Sequence, residues 1–170
     1  IQATEIIHSS PASHAALWSH LLNIDFNDEI ITRRAHADDA LSWMLSDARQ
    51  LQRSPYDGVW YRLLDVAEAL AKRKYMNNGN LVFDVIDCFI PKWGGRFELN
   101  GGASGATCNA STKSPDITLT TAALAACYLG GISFRVLEQA GHIQENKDGA
   151  IKTADTMFPT TITPWCPLDF

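Results

Sequence analysis

Apolar and polar positions alternate in two different periods along this chain, and the change from one to the other sketches its architecture. The opening residues Ile1-Gln2-Ala3-Thr4-Glu5-Ile6-Ile7 alternate as a strand does. Ser10 followed by Pro11 then gives a helix N-cap with proline at the first helical position, and Leu17, Trp18, Leu21 and Leu22 recur at helical spacing to about Asp25. Glu29 to Arg33 predicts a strand, and Asp38 a cap for a short helix carrying Leu41, Met44 and Leu45. Ser54-Pro55-Tyr56-Asp57-Gly58 interrupts the pattern, so a domain boundary is expected there, with one domain over 1–56 and another over 57–170.

Beyond that break, Val59 to Leu64 has strand character and Asp65 caps a helix through Val66, Ala69, Leu70 and Tyr75. Asn77-Asn78-Gly79-Asn80 turns the chain into a strand from Leu81 to Asp87. Gly95 to Leu99 and Ala106 to Asn109 flank Asn100-Gly101-Gly102 as a hairpin, and Asp116 to Leu119 follows as a strand. The period then becomes helical. Thr120 or Thr121 opens a helix that Gly130-Gly131 ends, Ser133 opens another ending at Gly141, and a last one is expected from Gly149 to Phe158. Strands in succession and then helices in succession predict an α+β fold, an antiparallel sheet with helices on one side.

Composition narrows the class. With 170 residues, 46% apolar and 19% charged, the chain has enough apolar material for a good core. The apolar run Ala122 to Leu129 is far short of the roughly 20 residues that span a bilayer, so no membrane span is expected. A net charge of −5 argues against a nucleic-acid partner, and the one basic run, Lys72-Arg73-Lys74, closes a predicted helix where cations complement the dipole. Cys88, Cys108, Cys127 and Cys166 form no Cys-x-x-Cys pair, which predicts reduced core cysteines, no metal site and a cytoplasmic protein. An alternation already under way at Ile1 reads as a fold resumed in mid-course, so a fragment is expected.

Most candidate chemistry dissolves on inspection. Gly101 to Gly105 lacks the lysine and the following helix of a phosphate loop, and Ser104 lies between strands instead of in a nucleophile elbow. His14 and His20 are six residues apart on one helix and face different sides, while Asp84 and Asp87 point to opposite faces of a strand. The apolar helices from Ala122 onward serve to cover a sheet or to line a lipid cavity. One feature stands out. The tail Trp165-Cys166-Pro167-Leu168-Asp169-Phe170 is stiffened by proline and carries two carboxylates at its tip, the Asp169 side chain and the α-carboxylate of Phe170. Its aromatic residues either pin the terminus to a core or present those charges to a cation.

Five blocks in order carry a resemblance: Leu17 to Asp25, Asp57 to Val66, Gly95 to Leu99, Tyr128 to Gly131, and Trp165-Cys166-Pro167 close to Phe170. Together they resemble the C-terminal part of the enhanced intracellular survival family, a branch of the GNAT N-acetyltransferases. The resemblance implies a sterol carrier protein-like domain over 57–170, preceded by the end of a degenerate GNAT-like αβ domain over 1–56. The family's full-length members transfer acetyl groups from acetyl-CoA to amines, aminoglycosides among them, and assemble as hexamers. By that resemblance the partners are a catalytic N-terminal GNAT domain, further copies of the chain and a polyamine-like small molecule. Phe170 supplies its terminal carboxylate as a catalytic general base, and Asp169 adds substrate-binding charge beside it. Acetyl-CoA belongs to the full-length parent. No cofactor is expected on this chain, because it lacks the Arg/Gln-x-x-Gly-x-Gly/Ala loop that would hold the pyrophosphate. Ser19 departs from the larger basic residue often found after the Leu-Trp pair. The expected function is therefore a C-terminal module of an N-acetyltransferase; the alternative is a lipid- or sterol-binding module without catalysis.

Overall fold

The computed structural model describes residues 1–168, and these fall into two compact units, one over 1–59 joined by the tail from Trp165, the other over 60–164.

In the first unit, a two-residue strand β1 (Gln2–Ala3) pairs in parallel with β2 (Ile31–Thr32), so the first expected strand forms only near its start and the second only in its middle. Helix α1 (Pro11–Leu22) starts where its cap predicts. The Ser10 hydroxyl accepts the Ser13 N–H at 3.1 Å and Ser13 returns the bond to the Ser10 N–H at 3.1 Å, a reciprocal capping box. Its buried stripe is His14 and Trp18, one turn apart, whereas Leu17 and Leu22 face outward. The short helix α2 (Leu41–Met44) is opened by Asp39 and not by Asp38, since Asp39 Oδ1 accepts the Leu41 N–H at 2.7 Å.

The second unit opens without the strand expected over Val59 to Leu64. That segment is tied down by side chains instead. The Tyr61 hydroxyl donates to the Ala125 carbonyl at 2.5 Å, and Arg62 pairs with Asp87. Helix α3 (Val66–Lys72) follows, with Asp65 accepting the Glu68 N–H at 2.8 Å. Strands β3 (Gly79–Ile86), β4 (Gly95–Gly102), β5 (Gly105–Ala110) and β6 (Ile117–Thr120) come next, then helices α4 (Thr121–Tyr128) and α5 (Phe134–Gln139), strand β7 (Ile143–Glu145) and helix α6 (Ala150–Met157). The sheet order is β5-β4-β3-β6-β7. Leu81, Phe83 and Val85 share one face with Leu99, Ile117, Leu119 and Ile143, and the helices pack there through Leu70, Leu124, Phe134 and Met157. This is the α+β layer that the succession of elements predicted.

The sheet itself is mixed. Three pairings are antiparallel, but β3 and β6 run parallel, with Phe83 opposite Ile117. The cause is the connection over residues 111–116, which leaves β5, crosses the helix-free face and enters β6 on the far side of β3. Lys113 marks its path by reaching Glu98 on that face at 2.6 Å, and Asp116 closes it by accepting the Val82 N–H at 2.8 Å. Val82 points away from the core, yet this crossing leaves it 4% exposed. β7 is an edge strand of three residues, too short for the sequence pattern to reveal. The hairpin turn lies at Ala103-Ser104, because Gly101 and Gly102 are still paired in β4. Gly101 is required by close approach: a Cβ there would stand 2.6 Å from the Tyr75 ring.

Arg73 joins the helices. Instead of ending α3 as one of three surface cations, its guanidinium donates to the carbonyls of Tyr128 and Phe158, at the C-terminal ends of α4 and α6. The rings of Phe158, Tyr75 and Tyr128 lie 4.7, 5.2 and 5.8 Å from its central carbon. Burial pulls the guanidinium below its ordinary pKa, and the negative ends of two helix dipoles offset that cost without a carboxylate. Gly130, at φ +84°, keeps the α4 terminus close, since a Cβ there would come 2.6 Å from the Phe158 carbonyl. Replacing Arg73 by leucine strands both carbonyls and should lower the unfolding free energy by about 2–4 kcal/mol in denaturant titrations. Arg73→Lys, lacking the planar fork, should recover only part of the loss.

Asp87, which closes β3, is the second anchor. Its Oδ1 accepts the Ile90 and Phe89 N–H groups at 2.7 and 2.9 Å while Oδ2 meets Arg62. The Ile90 N–H, helped by Arg62 and the Phe89 N–H, holds its carboxyl below the usual carboxylate range against the opposing pull of burial. A depressed folded pKa stabilises above the unfolded value of about 3.9, and that contribution disappears as pH falls through the folded one. Acid-unfolding curves of Asp87→Asn should therefore be flatter than wild type below about pH 4, and an identical pH slope would contradict this assignment.

Candidate functional site

The site expected at Asp169 and Phe170 lies outside the described residues; the structure describes the tail up to Leu168. That approach is ordered by the first unit. The Trp165 ring stands 5.2 Å from the His36 ring, tilted by 48°, within the range of a favourable aromatic pair. Cys166 passes Gly58, whose hydrogen-only side lies within ordinary contact of the Cys166 Cβ, at 3.8 Å from where a Cβ would stand. The Cys166 thiol is oriented toward the Leu168 carbonyl at 3.8 Å.

His36 is itself fixed by a short turn. Its Nδ1 accepts the Asp38 N–H at 3.1 Å and its carbonyl accepts the Asp39 N–H at 3.1 Å. Arg53 clamps the same turn from outside, donating to the Asp39 carbonyl at 2.6 Å and to the Ala37 carbonyl at 3.5 Å. Behind it lies a cavity of about 460 Å³, bounded among others by His8, His14, Trp18, His36, Asp39 and Trp165. Thr32 Oγ1, without a hydrogen-bond partner among the described residues, belongs to the residues lining it.

His14 is the polar heart of this unit. It is 4% exposed, stacks on His8 with ring centroids 4.0 Å apart, and its Nε2 accepts the Trp18 indole N–H at 3.0 Å. Asp39 Oδ2 stands 3.4 Å from the same nitrogen. One nitrogen cannot accept from the indole and donate to the carboxylate at once, so while Nε2 accepts from Trp18 it makes no hydrogen bond to Asp39. Committed in this way, His14 is support for the α1 face and not a free base. Among the described residues no cluster of histidine, cysteine and carboxylate side chains could hold a metal ion.

Other reactive groups are silenced by their surroundings. Burial pushes the Cys108 thiol up to about 11 and the Cys127 thiol up to about 12, which removes both as nucleophiles near neutral pH. All four cysteines are free. Two of the carboxylates near α5 and α6 are spent on helix starts, Asp155 accepting the Phe134 N–H at 2.6 Å and Glu145 the Ile151 N–H at 2.9 Å. Of these features, the His14–Trp18 pair carried a sequence signal in its spacing of four on a capped helix, which a search for paired histidines passes over. His36 and Trp165 lie at opposite ends of the chain, and no local pattern links them.

Comparison with known proteins also finds two segments in this chain. Residues 66–167 match the sterol carrier protein domain family, and residues 1–63 match the acetyltransferase (GNAT) domain family. An uncharacterized N-acetyltransferase of Streptomyces coelicolor is 36% identical over 160 residues, covering 94% of this chain and 39% of the relative. The N-acetyltransferase Eis of Mycobacterium tuberculosis is 28% identical over 163 residues, covering 93% of this chain and again 39% of the relative. The chain thus spans about 39% of the length of the curated relatives it matches. Among solved structures, Eis1 from Mycobacterium abscessus superposes with a TM-score of 0.81 at 31% identity, over 99% of this chain and 43% of that one. A GCN5-related N-acetyltransferase from Kribbella flavida shares the fold at 21% identity, with a TM-score of 0.71 over 99% of this chain and 43% of that one. Among the described residues no helix is long and apolar enough to cross a membrane. The chain belongs to the sterol carrier protein domain family, joined to a GNAT segment as in the Eis-type N-acetyltransferases it resembles.

Proposed function

We propose that this chain is the C-terminal module of an acetyl-CoA-dependent N-acetyltransferase, and that its work is to carry the Phe170 carboxylate, with Asp169 beside it, to the catalytic domain. The observation that supports this is the tail. It packs on the first unit through Trp165 and Cys166, so the approach to the tip is seated on a folded surface. A substrate ammonium must lose a proton before its nitrogen attacks a thioester, and a carboxylate within hydrogen-bond reach accepts that proton directly or through one water. An ordinary C-terminal acid titrates near 3.3 to 3.7, so it acts as a base near neutral pH only where desolvation raises that value; in water its main service is to hold the cation. Amines of the aminoglycoside or polyamine kind fit this requirement because they arrive as cations. A homo-oligomer, six-fold in the resembling family, completes the assembly.

The residues of this chain do not suit acetyl-CoA. The GNAT-matching segment offers α1 as its helix start, and there Pro11 has no N–H while Ser10 already takes the Ser13 N–H. Among the described residues this helix start offers no pyrophosphate cradle, and in this reading cofactor binding and thioester chemistry fall to a catalytic domain outside this chain. The rival reading, a lipid carrier, meets a filled interior: Phe83, Leu124, Phe134, Met157 and Phe158 occupy the space between sheet and helices, each 2% exposed or less.

Amidating the C-terminus of the full-length enzyme, or adding one residue after Phe170, should lower kcat by about a hundredfold or more while leaving the fold intact by circular dichroism. Turnover that survives either change would remove the carboxylate from the mechanism.

A further inference from the structure

We propose that His36 is a positioning residue: its imidazole forms the seat for Trp165, and this ring-on-ring latch fixes the tail at Trp165 and Cys166, on the approach to the terminal carboxylate. The inference rests on the carboxylate reading above, but the latch itself stands on separate geometry.

His36 has what a seat needs. Its ring is immobilised before the tail arrives, through the Nδ1 bond to the Asp38 N–H and the Arg53 clamp on the carbonyls of Ala37 and Asp39. Tyr56 ties the following segment to the same unit by donating to the Arg33 carbonyl at 2.9 Å, which sets Gly58 beside Cys166. Trp165 and Cys166 thus lie at consecutive positions against two segments, the second of which binds the backbone of the first through Arg53 and Tyr56. Pro164 and Pro167 bracket the gripped pair and limit its backbone freedom. Phe170 follows Trp165 by five positions, and a fully extended chain rising about 3.3–3.6 Å per residue spans at most about 18 Å over that length. Both rings lie on the wall of the cavity of about 460 Å³, so the Trp165 ring borders open space on its other side.

Two substitutions separate the ring from the turn. His36→Asn keeps an acceptor for the Asp38 N–H but removes the aromatic seat, whereas His36→Phe keeps the ring and loses that bond. In the full-length protein, the readouts are iodoacetamide alkylation of Cys166, measured by peptide mass spectrometry against exposed Cys88 as an internal reference, and steady-state kcat and KM. The latch predicts that His36→Asn raises the Cys166 to Cys88 labelling ratio by about two- to tenfold, the range an aromatic pair commands, and lowers kcat at unchanged KM. His36→Phe should stay close to wild type in both. An unchanged labelling ratio in His36→Asn, or equal release in both variants, would overturn the latch. Release of Cys166 with undiminished kcat would uphold the latch and overturn the carboxylate reading instead.

Discussion

The guanidinium of Arg73 is the interaction on which the larger unit depends. Two helices, α4 and α6, finish close together, and the last carbonyls of each would otherwise be crowded at one point with nothing to donate to them. A single planar cation satisfies both, and three aromatic rings shield it from water. The arrangement sets further constraints. Gly130 has to lack a side chain so that the Phe158 carbonyl can come near, and Phe158 has to turn its ring against Tyr75, Phe83 and Phe134. Tyr75 in turn lies over Gly101, which explains a glycine inside a strand. One cation therefore ties the ends of three helices together, and the Phe158 ring beside it packs on the sheet at Phe83.

Much of this layer was legible in the sequence because its signals are local. Asp65, Thr120 and Ser133 each cap the helix they precede, and Gly130, Gly141 and Gly149 mark helix boundaries with positive φ. What stayed hidden is non-local. Arg73 sits in a basic run at a helix end, where dipole complementarity gives a sufficient account, and nothing nearby announces partners 55 and 85 residues away. The parallel pairing of β3 with β6 depends on which face residues 111–116 cross, a choice that neighbouring residues do not encode. Val59 to Leu64 has the composition of a strand, yet Tyr61 and Arg62 bind α4 and Asp87 through their side chains, and tertiary contacts override propensity there.

The smaller unit follows a different economy. Its sheet is two residues wide on each side, and its buried polar centre is a histidine committed to an indole instead of an aliphatic layer. Around it, short turns and clamped carbonyls make a surface for the tail. The sequence pointed to the stiff tail as the feature of interest, because prolines, aromatic residues and Asp169 are clustered within it. It could not show what receives the tail, since His36 earns that place only through folding. Trp165 thus links the sequence's clearest functional signal to the unit that resembles an acetyltransferase.

The central claim is that this tail works as a placed carboxylate. A crystal structure of the full-length protein with a bound amine substrate tests it most directly. The account predicts the Phe170 carboxylate within about 3.2 Å of the amine nitrogen, or one water away, with Trp165 still seated on His36. A Phe170 carboxylate salt-bridged to the sterol carrier domain and remote from the amine would contradict it.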